Sequence, residues 1–589
     1  MLLALAPSSA EDEPRPECLQ EVEHCDPIPK PALCLGVSLP YSHTSAILAE
    51  DSSNVTDALQ KLNLWTGLRN VPKCWEVVQP LLCSVYLPKC IENSNKSVVY
   101  LPPKEFCDIT RGPCKIVESY GWPAFLNCNQ SHFISRCTST VMKGLSFNTT
   151  GTCEAPLVAT ENRNSWYKDV DGCGVQCKNP LFTDQEHRQM HIFIAVCGSL
   201  CLASTLFTLL TFIIDWKNSS RYPALILFFI NGCFFIGSIG WMAQFVPGTR
   251  DDIVCRSDGT MRVAEPQLGS GESASCSVVF FVVYFFMIAG CIWFVILSYC
   301  WHLLFSNMRS PIKYIEAKRG TFHMFAWSLP LVLTIVCLAL TQIDGDSMTG
   351  ICFVGGIKHG YRAGFVLAPI SLVIVIGLVF LTSGLVKLIR MKVGSPGVIS
   401  DKASAKITDT IIRLGVFAVM ALLFVIITFG VHLYIFTNEK RWLKSFEEYI
   451  FCEANVTDVM MSRSSPCVMD ARPSLIAMQM HVMAYFGTGV VMSLWVWNRN
   501  TLRTWKKFLR KCWGLPDDTE PMKVKKHQVI AQAFSKRGEM NQGRLSLSFQ
   551  SMHDDPLGMR FDLNSVSSRE VSSVWAAAIP RLIQRRGGV

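Results

Sequence analysis

Between about residues 190 and 500 the chain alternates long apolar runs with short polar loops, and polar sequence flanks this block on both sides. Seven runs (191–214, 222–246, 276–305, 322–343, 361–389, 411–436 and 475–497) reach the ~20 residues a helix needs to cross the hydrocarbon core of a bilayer. One such run could be a buried helix of a soluble domain. Seven in succession predict a bundle of seven spanning helices.

Loop charge orients the bundle, because short cytoplasmic loops carry the excess of Lys and Arg. Lys217 and Arg221 follow the first run, Arg309, Lys313, Lys318 and Arg319 the third, and Arg390, Lys392, Lys402 and Lys406 the fifth. Arg499, Arg503, Lys506, Lys507, Arg510 and Lys511 follow the seventh, on the same side. The N-terminus is therefore expected outside the cell and the C-terminus inside. The net charge of +9 reads as this membrane-facing excess, with no nucleic-acid partner expected. Glycosylation sequons begin at Asn54, Asn95, Asn129, Asn148 and Asn455, all on the outer side. Asn218 also begins one but falls inside, so it is expected to carry no glycan.

Thirteen of the 25 cysteines precede residue 180, a density that reads as a disulfide framework in an oxidising compartment. A zinc module would need tight C-x2-C pairs, which this stretch lacks. Thirteen is odd, so one of these cysteines pairs further along the chain; spacing alone does not choose the connectivity. Residues 1–10, with their short apolar run, read as a signal-peptide remnant. The sequence shows no nucleophile–base set, metal motif or phosphate loop, so no enzyme is expected. A transporter, the rival membrane class, would show repeated halves and broken helices.

Three stretches carry a family resemblance: Asp344-Gly345-Asp346, then 350–355 (Gly-Ile-Cys-Phe-Val-Gly), then 364–369 (Gly-Phe-Val-Leu-Ala-Pro). With the leading cysteine-rich domain they resemble class F of the G-protein-coupled receptors, the Frizzled/Smoothened family, from about Cys18 to Trp575. The juxtamembrane stretch 165–174 (Ser-Trp-Tyr-Lys-Asp-Val-Asp-Gly-Cys-Gly), its continuation 179–183 and the tail block 529–537 are similar to the branch that transduces the Hedgehog signal. The alternative, a Frizzled-type Wnt receptor, would carry Lys-Thr-x-x-x-Trp after the last span; here Asn500-Thr501-Leu502-Arg503-Thr504-Trp505 lacks the lysine.

The resemblance implies an all-α seven-transmembrane helix bundle with an N-terminal extracellular, disulfide-rich, mainly helical cysteine-rich domain. The expected divisions are the remnant 1–10, the cysteine-rich domain 18–140, a disulfide-bonded linker 141–187, the bundle 188–498, a membrane-surface amphipathic helix 499–515 and a cytoplasmic tail 516–589. It also implies the disulfides: Cys18 with Cys137, Cys25 with Cys90, Cys34 with Cys83, Cys74 with Cys114, Cys107 with Cys128, Cys153 with Cys173, Cys276 with Cys352, and Cys452 with Cys467. Cys177 would bond Cys255, which accounts for the odd count.

By the same resemblance the ligand is a sterol, cholesterol or an oxysterol, and no cofactor is implied. One sterol site is a groove on the cysteine-rich domain lined by Asp51, Leu64, Trp65 and Tyr86. Read without the resemblance, Trp65 is a core residue and Asp51 a solvated loop residue. The second site lies in the bundle, where Asn179, Asp346, Arg362, His432, Trp442 and Phe446 would line the pocket or its mouth. Read without the resemblance, His432 is a structural core histidine. Ile435 and Met478 stand where the family usually has an aspartate and a glutamate, so this pocket is expected to be more apolar, with weaker antagonist binding. Arg413 and Trp495 match a cation–π lock of the inactive state; simple snorkelling of Arg413 to the interface is the other reading.

The implied partners are membrane lipid, an inhibitory-class heterotrimeric G protein, and Patched as functional antagonist. The implied location is the plasma membrane and the membrane of the primary cilium. Basic and aromatic residues at 501–513 suit a helix on the inner leaflet, with Cys512 placed for palmitoylation. The chain's last residues combine apolar positions at helical spacing with Arg585, Arg586 and Gly588, an Arg-Arg-x-Ser/Thr pattern with no hydroxyl. This resembles a pseudosubstrate for the protein kinase A catalytic subunit, beside other tail-binding kinases; a disordered tail with incidental arginines is the alternative.

Overall fold

The computed structural model describes residues 17–514, apart from 94–95, 136, 138–139, 268–270, 305–310, 394–400, 454–466 and 498. The expectations for residues 1–10, for Asn95 and Asn455, and for the tail with Arg585, Arg586 and Gly588 lie outside the described residues.

The head is built on the helices Val55–Leu64, Pro72–Tyr86 and Lys104–Arg111, beside an antiparallel sheet in which Lys96–Tyr100 lies between Leu19–Val22 and Cys90–Asn93. Asn54 starts the first helix by accepting the Asp57 amide at 2.8 Å. Pro72 starts the second, where its missing N–H is not needed. That second helix is buried nearly all round, through Cys74, Trp75, Val78, Leu81, Leu82, Cys83, Val85 and Tyr86, and forms the centre of the head. Five disulfides bind the head: Cys18 to Cys137, Cys25 to Cys90, Cys34 to Cys83, Cys74 to Cys114 and Cys107 to Cys128. Such bonds matter in a small domain whose core alone is marginal.

A linker sheet follows, with Val170–Val175 between Leu157–Ala159 and Trp166–Tyr167. Cys153 bonds Cys173 within it, and Cys177 bonds Cys255 in the first outer loop. The head is thus tied covalently to the bundle.

Among the described residues seven helices are long and apolar enough to span a membrane: Asp184–Ile214, Ala224–Phe245, Ser275–Leu304, Arg319–Ala339, His359–Lys387, a sixth within Asp401–Glu453, and Leu475–Leu494. The third is the central one, packed against the second, fourth and fifth. The first helix begins seven residues before the apolar run, because Thr183 and Glu186 close a reciprocal capping box there. Above the bundle the hairpin Ile343–Asp346/Ile351–Val354 is bonded to the third helix through Cys352 and Cys276. Gly350 turns it with φ +73°, and a Cβ at that position would strike Gln244.

The largest departure from the hydropathy reading is the sixth helix. The apolar run ends near residue 436, but the helix continues to Glu453. Glu439, Lys440, Arg441, Lys444, Glu447 and Glu448 end the hydropathy signal without ending the helix. Trp442, Phe446 and Ile450, at i, i+4 and i+8, keep one face apolar and buried. Cys452, bonded to Cys467, closes the outer loop at its end.

Candidate functional site

In the head, Trp65 and Tyr86 are almost fully buried, at 3% and 1% exposure. The Trp65 indole N–H donates to the Tyr86 hydroxyl at 3.1 Å, and that hydroxyl donates to Asp51 at 3.3 Å. The relay runs from the core to an exposed carboxylate, which also accepts the Ser52 hydroxyl at 3.0 Å. Burial pushes the Tyr86 hydroxyl up, so it stays protonated and remains a donor. The Trp65 ring stacks on Trp122 at 5.9 Å, with the Arg111 guanidinium 4.3 Å from the Trp122 ring. Phe125 meets Tyr86 edge-on at 5.8 Å, and Leu64 is half-exposed beside Trp65. The core reading of Trp65 and the solvated reading of Asp51 both hold, and the hydrogen-bond chain joins the two residues.

The six bundle residues fall into separate groups. Asn179 and Asp346 meet at the outer hairpin: the Asn179 amide donates to Ser347 at 2.8 Å, while Asp346 accepts the Met348 amide at 2.9 Å and the Thr349 hydroxyl at 2.8 Å. Arg362 opens the fifth span, and its Nε has no partner among the described residues. His432 is buried deeper, with Phe353 stacked at 6.5 Å and His481 edge-on at 4.6 Å. Trp442 packs on Tyr434 at 5.3 Å and shares a small cluster with Val431, Ile435 and the adjoining Met478.

Phe446 sits apart from the others. It belongs with Ile450 and Phe451 to the hydrophobic core of the head, and Tyr167 of the linker meets it edge-on at 5.9 Å. Beside it Lys168 pairs with Glu447 at 3.1 Å, which holds the Lys168 amine above its usual range. The extension carries this side chain up into the head. Sequence reasoning missed this junction and missed His481. The i+4 spacing of 442, 446 and 450 and the i+3 spacing of Met478 and His481 were the available signals.

At the cytoplasmic end Trp495 packs against Trp301 at 5.5 Å and against Phe417 of the sixth helix at 5.7 Å. Its indole N–H is buried without a partner among the described residues. Arg413 lies one turn before Phe417 on that helix, and its side chain is outside the described residues. The short helix Arg499–Cys512 follows. Trp505 turns into the bundle: it stacks on Phe207 of the first helix at 5.4 Å and donates to Thr211 at 2.9 Å. Leu502 and Trp513 stay exposed, as does Cys512. Among the sequons, Asn54, Asn129 and Asn148 are exposed on the head.

Residues 181–512 match the Frizzled/Smoothened family membrane region, and residues 25–135 match the Fz domain. The mouse protein smoothened is 49% identical over 574 residues, 96% of this chain and 71% of the relative. Frizzled-1 of Xenopus laevis is 28% identical over 82% of this chain and 89% of its own. A crystal structure of the Smoothened cysteine-rich domain, 50% identical, covers 20% of this chain and 99% of that one, with a TM-score of 0.19.

Proposed function

The chain belongs to the Smoothened branch of the Frizzled/Smoothened family of seven-span membrane receptors, and from that premise we propose that it carries the Hedgehog signal across the plasma membrane as a sterol-gated receptor. Cholesterol or an oxysterol is the activating ligand, and Patched restrains the receptor by limiting its access to sterol. The outputs are an inhibitory-class G protein and, through the tail, the protein kinase A catalytic subunit and other kinases, at the primary cilium.

The observation that carries the reading is the Trp65–Tyr86–Asp51 relay. A sterol is a flat apolar plate with one hydroxyl, so its site needs an apolar wall with a hydrogen-bonding end. Leu64 and the stacked Trp65 and Trp122 rings supply the wall, and Tyr86 and Asp51 supply the end. A second sterol station lies in the bundle, with Asn179, Asp346 and Arg362 at its mouth and His432 and Trp442 deeper. A ligand opens the receptor only in proportion to its preference for the open form. The gate is Arg413 against Trp495, released when the sixth helix swings outward.

The test is rescue of cells that lack their own receptor of this type. The chain is expected to restore Hedgehog-responsive transcription and to leave a Wnt reporter unchanged. Asp51→Ala should raise the sterol concentration needed for half-maximal response. Absence of rescue at normal surface level removes the proposed function. An unshifted sterol response in Asp51→Ala removes the head groove alone.

A further inference from the structure

At its cytoplasmic end the fifth helix carries two cations side by side. Lys387, half-buried, donates to Nε2 of His302 in the last turn of the third helix at 3.2 Å. An ammonium has three N–H groups and the imidazole takes one, so two remain. Arg390, one turn further along and exposed, adds a guanidinium on the neighbouring face. Among the described residues no carboxylate pairs with either cation. Nδ1 of His302 is buried and has no partner there either, and Lys387 is the charged group that acts on the ring. Phe380 packs on that ring with centroids 5.6 Å apart. Two cations without a counter-ion at the edge of a low-dielectric medium call for an anion.

The surroundings say which anion. Leu372, Val375, Val379 and Val386 are exposed at helical spacing and form an apolar stripe along the fifth helix. Thr382 continues the stripe and Arg390 ends it. From Leu372 to Val386 it runs about 21 Å, long enough for an acyl chain in one leaflet of a core about 30 Å thick. Lys387 is the last residue of the spanning segment. Its ammonium thus stands at the depth of the lipid phosphate nearest the acyl chains, on the leaflet whose anionic lipids basic groups attract. A phosphodiester at that depth carries a single charge, whereas a phosphomonoester carries about 1.5 to 2 near pH 7 and offers three free oxygens. Two ammonium N–H groups and a guanidinium match the phosphomonoester.

We propose that Lys387, Arg390 and His302 form a binding site for phosphatidic acid of the inner leaflet. Lys387 and Arg390 hold the phosphomonoester, the acyl chains lie along the stripe, and His302 positions the lysine. Lys387 touches both the lipid and the third helix, so the lipid favours the placement in which these two helix ends meet and shifts the balance between receptor states. The site requires only that this end of the bundle face the inner leaflet, and does not depend on sterol gating.

The test uses the full-length protein in detergent, with retained lipid counted by native mass spectrometry. Dioleoyl phosphatidic acid is expected to bind at one saturable position, at least about tenfold more tightly than dioleoyl phosphatidylserine, whose phosphate is a diester. Inorganic phosphate at the same concentration should not displace it. Lys387→Gln/Arg390→Gln should weaken retention by more than about tenfold, and Lys387→Arg should preserve it. His302→Asn should narrow the preference for phosphatidic acid without altering phosphatidylserine binding. Lys506→Gln/Lys507→Gln, exposed on the short cytoplasmic helix, should leave retention unchanged. The proposal is overturned by no retained phosphatidic acid, by equal retention of the two lipids, by displacement with inorganic phosphate, or by retention unchanged in Lys387→Gln/Arg390→Gln. Should that variant fail to fold, the wild type decides. Phosphatidic acid with a diazirine on its acyl chain should label the helix Ala368–Val393, and labelling confined to other helices overturns the site.

Discussion

Tyr86 shows how one hydroxyl can serve both stability and recognition. It accepts from a buried indole and donates to an exposed carboxylate. In Tyr86→Phe the Trp65 N–H loses its acceptor inside the core, at a cost of about 1–3 kcal/mol. The variant is expected to lower the head's resistance to denaturant and to reduce sterol affinity, read by unfolding and by sterol binding on the same preparation. His132 is a second sensitive residue. It is buried, and that burial pushes its imidazole below the ordinary value of 6.5, with a hydrogen bond to the Phe125 backbone and the Glu50 carboxylate opposing the shift. The sign follows from linkage. Just below pH 6.5 the unfolded chain takes a proton that the folded head refuses, so stability falls as pH drops from about 6.5 toward the folded value. Amide exchange at residues 124–134 should quicken over that window, and His132→Gln should flatten the dependence. The sequence alone could not assign Trp65 to core or groove, because a tryptophan side chain can be both. What it lacked was the partner at the other end of the relay: Asp51 and Tyr86 stand 35 positions apart, and nothing in their spacing signals contact.

Among the elements, the spans were legible because length and apolarity suffice to mark them, whereas their ends depend on features hydropathy does not weigh. A capping box carried the first helix outward, and a stripe of three large side chains carried the sixth well past its last apolar run. Phe446→Ala should test the second of these. Removing a buried ring costs about 3–5 kcal/mol where the surroundings cannot collapse. The loss should appear as faster amide exchange in the linker strands 166–175, with the membrane-buried part of the sixth helix unchanged. If exchange instead rose across the whole bundle, the extension would be part of the bundle's own core. A helix forms at Arg499–Cys512, in the stretch where composition suggested one, but composition does not say which aromatic faces the protein, and Trp505 faces the first helix.

At the scale of the whole molecule, two links of different kinds stand out among those that join head, linker and bundle. One is covalent, through Cys177 and Cys255. The other is a shared apolar core that includes Phe446, Ile450 and Phe451. In the cytoplasmic half of the same helix Phe417 touches Trp495. Trp495→Leu is expected to raise ligand-free signalling at equal surface level, because it removes the aromatic surface against which the sixth helix rests. Signalling no higher than wild type would sink the gate. The sixth helix itself, 53 residues from Asp401 to Glu453, is about 80 Å long. Only about 30 Å of that length fits the hydrocarbon core of a bilayer. A rod so much longer than the membrane is a lever: a tilt of roughly 5° about its middle moves each end by about 3–4 Å, in opposite directions. A small displacement of the head core at one tip would then reach the cytoplasm as an equal and opposite one, with no intervening joint to absorb it.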